Sequence, residues 1–254
     1  MRARAGSGDG HGAAGDEAFK QRSLRRSMAQ HIAADVRAAI LSGEIRPGTK
    51  LNQLKIAAQL DVSTTPVREA LRLLEAQGLV RIDTYSGAVV PEPTLGDLMS
   101  LYKIRLALCP LVAESVVLRA TKDRLERARI ANEQLAAAAD ESGWLEANQR
   151  LHTALDEAIG DRRLAQLWRE LGAVSSLYVN LSLAYRAEAQ RGAYAEHARL
   201  IEAYESGDAI SITEALTEHL TNTYEGCRVA LREQMATRSS EEDTKVSADN
   251  ARSE

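Results

Sequence analysis

The chain has 254 residues and a formal net charge of −4, with 44% hydrophobic and 27% charged residues, the balance of a globular protein of one large or two ordinary domains. No apolar run approaches the roughly 20 residues of a membrane helix, and the N-terminus lacks the apolar core of a secretory signal, so residence in the cytoplasm and no membrane contact are expected. Two cysteines, Cys109 and Cys227, without CxxC spacing, argue against a disulfide framework and read as small buried hydrophobes.

In chain order, residues 1–20 are rich in Gly, Ala and charge without a periodic apolar face, and are expected to be a disordered arm. A first domain is expected over 21–92. Met28, Ile32, Val36, Ile40 and Leu41 recur at helical spacing, and the helix should end at Ser42-Gly43 before an Arg46-Pro47-Gly48 turn. A short helix from about Asn52 to Leu60 follows, with Leu54, Ile56, Ala57 and Leu60 as candidate core. Asp61-Val62-Ser63 breaks it, Ser63 or Thr64 can cap the next helix, and Pro66 suits its first turn. That helix should bury Val67, Leu71 and Leu74, with Leu79 beyond the Gly78 terminator. Two β-prone stretches, Leu79 to Ile82 and Ala88 to Val90, flank Tyr85-Ser86-Gly87 as a hairpin.

The second domain, expected over 95–236, reads as helical throughout. Breaks near Thr121, Ser142-Gly143, Gly160-Asp161, Gly192 and Ser206-Gly207-Asp208 divide it into about six helices, which short connections should fold into an antiparallel bundle. Residues 237–254 are polar, and a disordered tail is expected there. The fold class is thus mainly α: an N-terminal winged helix-turn-helix (three helices plus a β-hairpin wing), then the helical bundle.

Charge is unevenly spread between the two halves. Residues 21–95 hold ten Lys/Arg against seven Asp/Glu, whereas residues 96–254 hold 19 against 26. A basic half with a helix-turn-helix joined to an acidic half suits DNA contact followed by a different task. The second helix of such a motif lies in the major groove with its first residues facing the bases. Here that start is Ser63-Thr64-Thr65-Pro66-Val67-Arg68. Its hydroxyls and amides suit phosphates, and Arg68 can reach a phosphate or a guanine edge. Gly87 would let the wing approach the minor groove closely.

DVSTTPVREALRLLEAQGLVRI, preceded by RPGTKL and followed by a glycine-containing wing, resembles the DNA-binding half of the GntR superfamily of bacterial regulators, over about Leu24 to Pro91. The resemblance implies DNA contacts from Thr65 and Arg68, with Gly87 in the wing. Relatives usually carry an arginine where Leu54 stands and another where Thr64 stands; Lys55 is a candidate replacement charge. The full set of candidate DNA-binding residues is Lys55, Ser63, Thr64, Thr65, Arg68 and Gly87.

Three histidines of the second domain lie on faces that otherwise read as core. His152 shares a stripe with Leu145, Asn148, Leu155 and Ile159; His197 lies with Leu200, Ile201 and Tyr204; His219 follows Ile212, Ala215 and Leu216. Imidazoles meeting from different helices can build a divalent-metal site, and unmated they would be costly buried polar groups. Residues 96–235 resemble the helical sensor of the FadR-like GntR subgroup, the FCD domain. Many of its members ligate a metal through an Asp-x-x-x-His pair and two later histidines. The resemblance implies Asn148, His152, His197 and His219 as ligands, with an amide in place of the usual carboxylate. Zinc is the first expectation, with nickel or manganese as alternatives. Arg105, among Leu101, Ile104, Leu108 and Val112, could clamp an effector carboxylate or form a structural ion pair. Related domains carry Arg-x-x-Leu-Glu there, whereas this chain has Cys109 in the glutamate position.

The expected function is a homodimeric regulator, a repressor by family habit, whose hold on a palindromic operator changes when a small carboxylate binds the metal-containing sensor. An architectural DNA-binding dimer with a structural metal is the alternative. A metal-dependent hydrolase is a third reading, weakened by the lack of a general base beside the histidines, with Asp156 the nearest candidate.

Overall fold

The computed structural model describes residues 27–83, 87–183 and 187–251, with side chains described outside 187–191 and 238–251. The arm expected over 1–20 and Tyr85-Ser86 of the wing lie outside the described residues. Contacts divide the chain into two compact units, one formed by the residues up to Ile40 together with Arg46–Pro91, the other by Leu41–Ile45 together with Glu92 onward.

The first unit begins with helix α1, 27–41. Its buried stripe is Ala29, Ile32, Ala33 and Ile40, while Met28 is 45% exposed, so the apolar face sits about one residue round from the expected one. Strand β1 (Lys50–Leu51), helices α2 (Gln53–Gln59) and α3 (Thr64–Ala76), and strands β2 (Arg81–Asp83) and β3 (Gly87–Val89) follow. The sheet has the order β1-β3-β2, both pairs antiparallel. Only the β2–β3 hairpin is expected from the sequence; β1 falls where RPGTKL reads as a turn. Gly48, at φ +81°, swings the chain so that its N–H donates to Val90 O at 2.9 Å, and Val90 N–H donates to Thr49 O at 3.0 Å. The long-range ladder is invisible to a local pattern.

Asn52 caps α2, its Oδ1 accepting from Leu54 and Lys55 N–H at 3.0 and 3.1 Å. With only two turns, α2 buries a single residue, Ala57; Leu54 is 71% exposed and Leu60 44% exposed, correcting their expected core positions. The turn into α3 places Asp61 at φ +51°, the left-handed region that aspartate tolerates better than most residues. Along α3, Val67, Ala70, Leu71 and Leu74 are buried at spacings of three and four, and Leu79 closes the same core after Gly78 at φ +74°.

Among the described residues the second unit holds six helices: α4 (Leu95–Val116), α5 (Lys122–Ala136), α6 (Glu141–Asp156), α7 (Arg162–Leu183), α8 (Ala187–Ser206) and α9 (Ala209–Ala251). Helices α4 and α9 pack together, α5 packs on α6 and α8, and α7 and α8 pack on α9. One apolar core runs through all six, including Tyr102, Val112, Leu151, Leu155, Trp168, Leu200, Tyr204, Ile212 and Leu220. The starts of α4, α5, α6 and α9 carry side-chain caps from Thr94, Thr121, Asp140 and Asp208, and Asp161 Oδ1 accepts from Arg163 and Leu164 N–H at the start of α7.

Two expected breaks move. Ser142-Gly143 lies inside the first turn of α6, because Asp140 Oδ1 accepts from Gly143 N–H at 2.8 Å and starts the helix earlier. Gly192 lies inside α8, whose start follows residues 184–186, outside the described set. Helix α9 continues to Ala251, over most of the segment expected to be a disordered tail. No helix among the described residues is long and apolar enough to cross a membrane.

Candidate functional site

In the first unit, the start of α3 gathers the residues singled out for DNA. Ser63 takes the N-cap conformation but its hydroxyl makes no capping bond, so Ser63 covers none of the first N–H groups of α3, to which Pro66 contributes none. Ser63, Thr64 and Arg68 are exposed, Thr65 is half-buried, and Lys55 is exposed on α2. Gly87 is exposed at the start of β3 with φ +79°, a conformation that suits glycine. Arg72, one turn beyond Arg68 and also exposed, shares its face; only the i, i+4 spacing from Arg68 marks it in the sequence.

In the second unit, three imidazoles from three helices converge. His152 comes from α6, His197 from α8 and His219 from α9, and one ring nitrogen from each lies within 4.8 Å of the other two. Their ring centroids stand 5.1 to 5.2 Å apart. His197 is 1% exposed; His152 and His219 are half-buried. Burial holds His152 and His197 well below the usual imidazole pKa; His219 adds repulsion at both, and His197 and Arg105 add more at His152. Both rings are therefore neutral near pH 7, the form that binds a metal. His219 Nδ1 faces Glu196 Oε2 at 3.7 Å, too long for a hydrogen bond, and Asn222 Nδ2 donates to Glu196 Oε1 at 3.1 Å.

The donor set fits a divalent ion. Nδ1 of His197 and of His219 is buried without a hydrogen-bond partner among the described residues, which would be costly were these rings purely structural. Nitrogens within 4.8 Å of one another are close to the spacing that three imidazoles on one zinc ion would need. Asn148, half-buried one turn before His152 on α6, is on the same side of that helix.

Arg105 of α4 enters this unit's interior. Its guanidinium carbon lies 4.9 Å from the Trp168 ring centroid and 5.8 Å from that of Tyr102. Nε is buried with no hydrogen-bond partner, and the side chain makes no ion pair among the described residues. The structural ion pair left open by the sequence is absent from the described residues, and the guanidinium is held instead by aromatic faces. Trp168 Nε1–H donates to Asp156 Oδ1 at 2.9 Å, and the Tyr102 hydroxyl pairs with Ser175 Oγ at 2.6 Å. Burial raises Asp156 to about 6 and Cys227 to about 12, and shifts Cys109 upward; both thiols are buried. Trp168, Tyr102 and Ser175 escape sequence reasoning because their helical spacing marks only core.

Both halves match known families. Residues 28–90 match the bacterial regulatory proteins of the gntR family, and residues 100–222 match the FCD domain. The chain belongs to the gntR family. An uncharacterised HTH-type transcriptional regulator of Bacillus subtilis (strain 168) is 26% identical over 200 residues, 76% of this chain and 88% of its own length. The gluconate operon transcriptional repressor of Bacillus licheniformis is 28% identical over 187 residues, 71% of this chain and 74% of its own. A solved GntR transcriptional regulator from Rhodococcus sp. RHA1 has the same fold at a TM-score of 0.67 and 24% identity, with 79% of this chain and 97% of that one covered. This gntR-family protein is accordingly a DNA-binding transcription regulator with an FCD sensor, and not an enzyme.

Proposed function

We propose that this regulator is a homodimeric repressor that binds a palindromic operator through α3 and the wing, and that a small organic acid bound in the FCD unit weakens its grip. One observation carries the reading: Arg105, whose Nε is buried without a hydrogen-bond partner and which forms no ion pair among the described residues, lies within electrostatic reach of His152, a member of the three-histidine cluster. A half-buried guanidinium with an unmet donor gains from an anion that reaches it. The gluconate operon repressor among the relatives supports the repressor assignment.

On DNA, the first amides of α3 and the Ser63, Thr64 and Thr65 hydroxyls take phosphates, Lys55 takes another, Arg68 reads a base edge or a phosphate, and Gly87 lets the wing close on the minor groove. In the sensor, His152, His197 and His219, with Asn148 as fourth donor, would hold a divalent ion, zinc before nickel or manganese, which when bound would supply open positions for an acid's oxygen. Arg105 binds the carboxylate, and the aromatic faces of Trp168 and Tyr102 keep its guanidinium oriented. The acid changes DNA affinity only by binding one dimer geometry better than another.

Selection of bound duplexes from a random DNA pool, followed by fluorescence anisotropy on the recovered palindrome, tests the reading. Mixed small carboxylates should weaken binding at least tenfold in the wild type and not in Arg105→Met. Unchanged DNA affinity throughout would instead mark an effector-independent DNA-binding dimer.

A further inference from the structure

Two opposite charges inside the helical unit share one tryptophan without meeting. Trp168 offers its face to the Arg105 guanidinium at 4.9 Å and donates its indole N–H to Asp156 Oδ1 at 2.9 Å. Arg105 and Asp156 are within electrostatic reach of each other, yet form neither an ion pair nor a hydrogen bond. Arg105 Nε is buried and bare, and Asp156, half-buried, accepts nothing at Oδ2 among the described residues.

Away from bulk water opposite charges attract more strongly, and buried polar atoms such as Arg105 Nε are normally satisfied. An unused donor array and an unused acceptor held apart on one indole are matched by a guest with an acceptor at one end and a donor at the other. Asp156 is one turn beyond His152 on α6, so the acceptor belongs to the same helix as the imidazole cluster. An acid lacking a donor would satisfy Arg105 and leave the aspartate bare.

We propose that Asp156 is a specificity-determining residue of the effector site, and that the effector is a small bifunctional acid whose carboxylate meets Arg105 and whose ammonium or hydroxyl donates to Asp156. The assignment rests on Arg105 being the carboxylate clamp. Such a residue discriminates because an analogue without the donor covers the half-buried carboxylate and leaves it unpaired.

Titration calorimetry on the full-length protein, as purified and after zinc loading, tests this with two matched sets: propionate, L-lactate and L-alanine; and butyrate, 4-hydroxybutyrate and 4-aminobutyrate. In at least one set, a donor-bearing acid should bind at least tenfold more tightly than the plain acid. Asp156→Ala should narrow that gap below threefold without weakening the plain acid. The near-isosteric Asp156→Asn, which can still accept from Trp168, should narrow it for the ammonium acids and decides the matter if the alanine variant does not fold. A tenfold preference for alanine with none for lactate names an amino acid, and the reverse a hydroxy acid; both support the assignment. Equal binding of plain and donor-bearing acids, or a preference that survives both substitutions, overturns it. If the acids bind equally and Arg105→Met abolishes all of them, the carboxylate clamp stands and only the Asp156 role falls. No binding by any of the six overturns both.

Discussion

An enclosed carboxyl resists ionisation, and Asp156 shows the consequence for stability. Burial raises its pKa to about 6, against an ordinary carboxyl near 3.9 in an unfolded chain. Between these two values the folded protein keeps a proton that the unfolded chain has released. Stability therefore falls as pH rises through that window and stays lower above it. Asp156→Asn removes the ionisation while keeping an acceptor for Trp168 Nε1, so in the ligand-free protein it should add about 1–2 kcal/mol at pH 7.5 and little at pH 4. Scanning calorimetry at the two pH values checks this; a lower midpoint for the variant at pH 7.5 would contradict it. His152 and His197 carry the opposite sign. Their depressed pKa values mean that the unfolded chain takes up protons first, so stability is lost as pH falls below about 6.5. The same protons compete with a metal. Plasma emission on purified protein is expected to find about one equivalent of metal per chain. A His152→Ala, His197→Ala double variant should hold none, and a metal content equal to that of the wild type would place the ion elsewhere.

At the scale of single elements, α6 positions both His152 and Asp156, and its start depends on Asp140. Asp140→Ala removes the acceptor for Gly143 N–H and should cost about 1 kcal/mol by urea unfolding of the helical unit. In the first unit, Leu74 of α3 is fully buried, and Leu74→Ala should destabilise that unit by about 2–5 kcal/mol, read from the loss of DNA binding on warming. These helices also show how far periodicity reaches. The stripe Val67, Leu71, Leu74 was legible because 13 residues give more than three turns of pattern. In α2, seven residues cannot distinguish a buried from an exposed leucine, so Leu54 and Leu60 were misplaced. Ser142-Gly143 read as a break because Ser and Gly are common in loops. The actual loop consists of Ala residues ending at Asp140, and only the cap geometry marks the start.

For the whole molecule, the proposed dimer on a palindrome requires two chains per duplex. Light scattering of the complex with the selected operator should give that stoichiometry, and one chain per duplex would contradict the dimer. Arg68→Ala should weaken operator binding by about tenfold or more, consistent with roughly 1–3 kcal/mol for a lost base contact. The sequence by itself determined the order of the two units, the helix-turn-helix with its wing, six helices in the sensor, and the three histidines as candidate ligands. Each of these is written in local spacing: helical periods, turn residues, and polar side chains on apolar stripes. It could not determine that the histidines converge within 4.8 Å, because that depends on how α6, α8 and α9 cross in the bundle. Nor could it reveal that Arg105 of α4 and Asp156 of α6 meet the same Trp168 of α7, or that β1 joins the wing. Those arrangements belong to pairings between residues tens of positions apart, where burial and packing choose among partners that local pattern leaves equivalent.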